Sequence, residues 1–389
     1  MESTLQTTTQ PAWQIGEKIP LSANQAYLLS ERDAVSVLGP FTLPKMPLAL
    51  LEQSFRTFIS KYPSLCIRLH KTDAGYEQEL LQPQAVNIKF YTDEYSTTTD
   101  EVLHAASNKL IKGQYDYEQE LIRVVAFSHP GGTYLKIGIH YALIDMYTNQ
   151  ILTDHLLRYF RSEVPKERFL SNYDFVKWQK SFMQSQEAAK QQGFWFEALK
   201  GLASSSTRDV SSTGKRLFTS QKWRFSKDSL ASAMQRYQAA RIPLTATMLA
   251  IHQLLLNQAF ESTDTLQKVR VSGRENLYGD LQIEKLLGVA NNTLPIVTDT
   301  GLQTVDLDSS LATYKQYHKP RLNLQIPYEL IRSHIINNAG FDIDRIPSGI
   351  CNIILLEDIE KRKANSPDQY TTNTKEIDTT SQLNLNVYL

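Results

Sequence analysis

Two strand-like runs, ELIRVVAFSH at 120–129 and TYLKIGIH at 133–140, stand on either side of Pro130-Gly131-Gly132, and they set the strongest local constraint on the fold. Proline followed by two glycines is turn chemistry, so the runs pair as a hairpin and the second strand delivers His140 to the loop beyond it. Around this hairpin, helical and strand-like periodicities alternate. Apolar positions at helical spacing mark 22–31, with Ser22 as N-cap, and 46–61, while 64–70, 76–81 and 86–91 read as short strands. Asp100 and Glu101 in a first turn introduce a helix ending at Gly113, and helical patterns resume at 147–161 and 172–200. The second half repeats the alternation, with strands at 216–225, 267–272, 289–297, 350–356 and 383–388 and helices near 227–239, 243–259, 303–318 and 328–338. Periodicity alone therefore gives a mixed α/β chain.

Length and composition narrow the class. A chain of 389 residues predicts two or three domains, and 41% hydrophobic against 21% charged residues is a globular balance. Lys+Arg and Asp+Glu are both 41, so there is no basic excess to release counterions, and nucleic acid is not an expected partner. Cys66 and Cys351 each sit in an apolar run with no CxxC nearby, and the N-terminus lacks a secretory h-region, which predicts a reduced, cytoplasmic protein. No run approaches 18 apolar residues, so no membrane span is expected, and scattered histidines without ligand spacing predict no metal. The polar stretch 203–214 reads as a linker and 361–381 as a mobile loop or inserted arm. The expected division is a flexible tail at 1–14, a first subdomain at 15–202 and a second at 203–389.

Chemistry concentrates in Ile139-His140-Tyr141-Ala142-Leu143-Ile144-Asp145-Met146, a His and an Asp where a strand turns into a helix. Other strings follow in fixed order: Pro20-Leu21-Ser22-Ala23-Asn24-Gln25-Ala26-Tyr27, Lys61 to Arg68, Tyr173-Asp174-Phe175-Val176-Lys177-Trp178-Gln179, Phe194 to Leu199, Val271-Ser272-Gly273-Arg274, Gly288 to Pro295 and Ile326-Pro327-Tyr328-Glu329-Leu330. In this order the chain resembles the condensation domain of non-ribosomal peptide synthetases, over most of residues 20–330. His140 to Met146 aligns with that family's His-His-x-x-x-Asp-Gly signature. The resemblance implies two chloramphenicol-acetyltransferase-like subdomains in a V with a central tunnel, entered from opposite faces by phosphopantetheine arms of carrier proteins, and no other cofactor. It also implies that Asp145 pairs with Arg274 to fix the active loop, and that Met146 and Asn292 line the tunnel. Asp174 and Trp178 are expected to be core or helix-capping residues, and Ser205, Ser206 and Ser211 carry no nucleophile context.

The chain departs from the pattern at two positions. Alignment on Asp145 puts Tyr141 where the family has its second, catalytic His, and leaves His140 as the first; neighbours on a strand face opposite ways, so one does not replace the other. Ionising a tyrosine at the pH where a histidine works costs about 3.5 pKa units, roughly 5 kcal/mol, and losing a general base typically costs about 10²–10⁴ in rate. Met146 stands where the family has Gly, and its longer side chain fills space beside the tunnel. The family also runs past the strand at 383–388, so either the second subdomain is trimmed or the chain is a piece of a larger one. With no carrier, adenylation or thioesterase segment in its length, it is free-standing or excised.

The leading expectation is a degenerate condensation domain of non-ribosomal peptide or hybrid polyketide biosynthesis that binds carrier-tethered intermediates or recruits a tailoring enzyme. The alternative is an acyltransferase on carrier-bound thioesters, with Tyr141 as hydrogen-bond donor to a developing oxyanion, alone or beside His140. A coenzyme A-dependent acyltransferase is the third reading; the absence of a DFGWG string and the presence of YDFVKWQ weigh against it.

Overall fold

The computed structural model describes residues 13–30, 35–73, 75–96, 99–113, 115–163, 168–204, 232, 235–260, 265–275, 278–279, 281–297, 304–354 and 385–388. The chain divides into two compact units, residues 1–180 with 282–289 and residues 181–281 with 290–389. The division falls at Ser181, ahead of the 202/203 boundary expected from the polar linker, and the short stretch 282–289 returns to the first unit. The expected tail up to residue 12, the linker serines and the arm at 361–381 lie outside the described residues.

The first unit runs β1 (Lys18–Pro20), α1 (Ala23–Ser30), β2 (Val35–Leu43), α2 (Leu48–Ile59), β3 (Ile67–Thr72), β4 (Gly75–Leu80), β5 (Ile88–Glu94), α3 (Asp100–Ile111), β6 (Ile122–His129), β7 (Gly132–His140) and α4 (Met146–Phe160), and ends in α5 (Asn172–Phe182). The expected hairpin is β6–β7, in antiparallel register from Ile122↔Ile139 to His129↔Gly132. It forms the centre of a four-stranded sheet, β2-β7-β6-β5, whose β5 runs parallel to β6. A smaller sheet orders β1-β4-β3.

Alternation along β7 sorts its side chains onto two faces. Leu135, Ile137 and Ile139 join the main core with Phe55 and Leu51 of α2 and Leu152 and Leu156 of α4. Tyr134 joins a second core with Val125, Phe127, and Leu103 and Ile111 of α3. By the same alternation Lys136, Gly138 and His140 lie on the α3 face, and Lys136 Nζ donates to Asn108 Oδ1 at 2.6 Å. Trp13 is buried and stacks on Tyr173 at 5.4 Å.

The second unit holds α6 (Gln186–Leu199), α7 (Leu244–Phe260), β8 (Leu266–Val271), β9 (Asn292–Ile296), α8 (Leu307–Leu322), α9 (Tyr328–Ala339), β10 (Ser348–Ile354) and β11 (Leu385–Tyr388). Its sheet orders β11-β10-β8-β9, parallel across the first two pairs and antiparallel at β8–β9. The helix expected over 172–200 is two helices, because the chain turns at Phe182–Ser185 and Ser185 Oγ then caps α6 by accepting from Ala188 N. α6 packs into the second unit: Trp195 Nε1 donates to Asn323 O at 2.9 Å, and Phe196 meets His334 edge-on.

The loop between β7 and α4 is a candidate functional site

Residues 140–145 leave a fully buried strand and enter α4, and buried side chains hold three backbone groups of that turn, Ala142 N, Ala142 O and Leu143 O. His140 has no exposed surface and sits beside Tyr117 and Tyr115, at 4.9 and 5.9 Å between ring centres. Its Nδ1 accepts from Ala142 N at 3.1 Å, which places the proton of the neutral ring on Nε2. Leu143 N returns to His140 O at 3.0 Å, closing the turn that carries Tyr141. Asp145 is buried and caps α4, its Oδ1 accepting from Thr148 N at 3.0 Å, and its own N–H donates to Gly288 O.

Two glutamines explain motifs that the sequence offers only as strings. In Pro20 to Tyr27, Ser22 N donates to Gln25 Oε1 and Gln25 N donates to Ser22 Oγ, a reciprocal cap on α1. The same Gln25 donates through Nε2 to Ala142 O at 3.0 Å and pairs with the buried Gln78, so the opening motif grips the turn after β7. Gln179 accepts from Ala23 N and donates to Asn24 Oδ1, holding α1 from the other side. Asp174 caps α5 through Ser171 N and Oγ, the capping role expected of it, while Trp178 stays half-buried and stacks on Phe175 at 5.7 Å.

The segment 282–289 lies against this loop. Leu170 bridges to Leu286, and Leu287 N donates to Leu170 O. Thr148 Oγ1 donates to Gly288 O at 2.8 Å and accepts from Gly288 N at 3.0 Å, while Asn172 Oδ1 accepts from Val289 N at 2.9 Å and Asn172 Nδ2 donates to Leu143 O. A Cβ on Gly288 would fall 2.2 Å from Asn172 Oδ1, so the approach requires glycine. Thr148 and Asn172 were not singled out from sequence. Each stands just outside a quoted string, Thr148 two residues after Met146 and Asn172 immediately before Tyr173, and only the fold brings them to the same turn.

Tyr141 is half-buried, and Met146, the first residue of α4, is 41% exposed. Asn292, expected to line the tunnel, is buried in the second unit with its carboxamide saturated: Nδ2 donates to Leu324 O and Ile326 O, and Oδ1 accepts from Thr293 N and Tyr328 N. All four of its hydrogen-bonding positions serve the chain itself. Arg274 follows Gly273, whose φ of 67° is left-handed and whose Cβ position lies 1.8 Å from Ala290 O, the reason a glycine precedes it. Arg274 belongs to the second unit and Asp145 to the first. Among the described residues no group of three or more His, Cys, Asp or Glu stands ready to hold a metal, and no helix is long and apolar enough to cross a membrane. Burial pushes the Cys66 and Cys351 thiols up to about 12, so both are unreactive at neutral pH.

Comparison with known proteins agrees with this architecture. The condensation-domain family model matches residues 38–341. Bacitracin synthase 1 of Bacillus licheniformis is 24% identical over 314 residues, which cover 72% of this chain and 6% of that much longer protein. The X-domain from teicoplanin biosynthesis superposes with a TM-score of 0.74 at 16% identity, over 96% of this chain and 87% of its own. The epimerization domain from the third module of tyrocidine synthetase B superposes with 0.73 at 13% identity, over 97% and 91%. The family model covers well over half of the chain, and the mixed α/β architecture is the one that these solved domains share: the chain belongs to the condensation-domain family.

Proposed function

We propose that the protein is a degenerate condensation domain that binds a carrier-tethered intermediate, or a tailoring enzyme acting on one, without itself supplying a general base. The observation that carries this reading is the state of His140. It is fully buried on the α3 face of the sheet, and its Nδ1 already accepts the Ala142 N–H. An imidazole so placed holds the turn. Protonating Nδ1 would break that hydrogen bond, so the ring is poorly suited to shuttling a proton at the site. The position where the family has its catalytic His carries a phenol, whose ordinary pKa near 10 makes it a weak base at neutral pH. Carrier proteins presenting phosphopantetheine-linked groups are the partners this reading requires.

The experiment is binding and single turnover with aminoacyl carrier protein as the probe. Retained carrier binding with no acyl transfer, unchanged by Tyr141→Phe, is the expected result. Acyl transfer by the wild type that disappears in Tyr141→Phe would overturn it in favour of the second reading, in which the Tyr141 hydroxyl donates to a developing oxyanion. That second reading is supported by the partial exposure of Tyr141.

A further inference from the structure

We propose that Asn172 is a positioning residue that couples the turn carrying Tyr141 to the segment 282–289, so that the two are ordered or released together. The proposal rests on the reading above only in taking that turn as the functional one. Asn172 is the first residue of α5 and has no exposed surface. Its backbone N–H donates to Ser64 Oγ at 3.0 Å, which fixes the residue independently of its side chain. The carboxamide then divides: Nδ2 donates to Leu143 O at 3.3 Å on the turn, and Oδ1 accepts from Val289 N at 2.9 Å on the segment. One rigid planar group thus satisfies a buried carbonyl of one element and a buried N–H of the other. Displacing either element leaves a buried polar group without its partner, a cost that the other element feels through the same amide. Thr148 and Asp145 close the circuit, because Gly288 O accepts from both Thr148 Oγ1 and Asp145 N.

The two halves of the amide are separable by substitution. Asn172→Asp keeps an acceptor for Val289 N but sets an oxygen against Leu143 O, so it attacks the turn alone. Val289→Pro removes the N–H given to Asn172 and attacks the segment alone. Native-state hydrogen exchange on the whole chain reads both. Asn172→Asp is expected to speed exchange about tenfold at Ala142, Leu143 and Asp145 and, by coupling, at Leu287 and Gly288, the fold-change that one lost buried hydrogen bond implies. Val289→Pro is expected to produce the reciprocal pattern, with faster exchange reaching the turn. Lowering the pH until the introduced carboxyl protonates restores an O–H donor to Leu143 O. Protection, corrected for intrinsic exchange, then returns in Asn172→Asp but not in Asn172→Ala, a rescue that a merely space-filling residue would not show. Effects confined to the substituted side, or an even rise across all amides of the first unit, would overturn the coupling. If Val289→Pro does not fold, the pH rescue of Asn172→Asp decides alone. Carrier-protein binding measured alongside separates the two claims: coupled exchange without carrier binding removes the functional reading and leaves the positioning role standing.

Discussion

The two units stabilise comparable junctions by opposite means. In the first, the turn between β7 and α4 is gripped largely by groups that do not titrate: the Gln25 and Asn172 carboxamides and the Thr148 hydroxyl. In the second, charges gather beneath the start of α9. Buried Lys268 donates to Asp344 at 2.6 Å, Tyr328 donates to the same oxygen, and Arg332 spans Asp342 and Asp344 at 2.7 and 2.8 Å. Neutral hydrogen bonds in a buried site are indifferent to salt and tolerate a wide pH range, whereas half-exposed ion pairs are screened and titrate. The carboxamide and hydroxyl contacts of the turn are therefore chemistry that the solvent cannot readily adjust.

The sharpest way to break the contrast is Gly288→Val. Its side chain would overlap Asn172 Oδ1, and thermal unfolding should report a loss of about 3 kcal/mol, as for a forced overpacking of the core. Asp344→Ala comes next. It strands the buried Lys268 ammonium, and because Asp344 is itself partly exposed the loss should be nearer 2 kcal/mol than the range for fully buried pairs. Raising salt from about 0.05 to 0.5 M should shrink the Asp344→Ala effect and leave that of Gly288→Val unchanged, since the Debye length falls well below 10 Å over that interval. Equal salt responses would erase the comparison.

Acid sharpens it in the same direction. Burial is the largest influence on the Asp342 carboxyl and raises it, but the Arg332 hydrogen bond, the Asp344 backbone N–H and the charges of Arg332 and Arg345 together outweigh this, so the net pKa lies below the ordinary carboxylate value. A depressed carboxylate contributes stability that is present above its unfolded pKa, near 4, and is lost as pH falls through the lower folded one. Arg332→Met should flatten that acid limb of the stability curve, while exchange protection at Leu143 holds through the same range.

The smallest expected effect concerns a buried charge of the first unit, away from the turn. Lys136 is buried on the α3 face with Asn108 as its polar contact, and burial, helped by Lys112, lowers its ammonium to about 8. Its folded pKa lies below the unfolded value near 10.4, so stability rises as pH climbs between the two. Lys136→Met should accordingly stabilise by about 1 kcal/mol at pH 7, with the gain fading toward pH 10 in a pH series of melting temperatures.

Much of this was legible in the sequence because it was local. The hairpin, the first-turn acids Asp100 and Glu101 of α3 and the starts of α4 and α9 follow from periodicity and turn chemistry, and the family follows from the order of the motifs. β2 was not legible: Gly39-Pro40 interrupts VSVLGPFTL, and the register against β7 shifts between Leu38 and Phe41 at that point, so a strand reads as a loop. The helix over 172–200 concealed a break because Ser185 signals a cap only once the Phe182 turn is known. At the site, the motif order points to Tyr141, Met146 and Asp145, but the residues that fix the turn, Thr148 and Asn172, and Gln78 behind Gln25, are ordinary polar side chains. Their roles come from partners far away in sequence, 140 residues in the case of Thr148 and Gly288.

The return of residues 282–289 to the first unit has a consequence for anyone recombining such domains. A chimaera that exchanges the chain at a single crossover near residue 180 would keep Thr148, Asn172 and Leu170 from one parent and import the strip they bind from the other. Hybrids that carry the strip along with the first half, as a two-crossover graft, should outperform simple fusions even when the parents differ elsewhere on every surface.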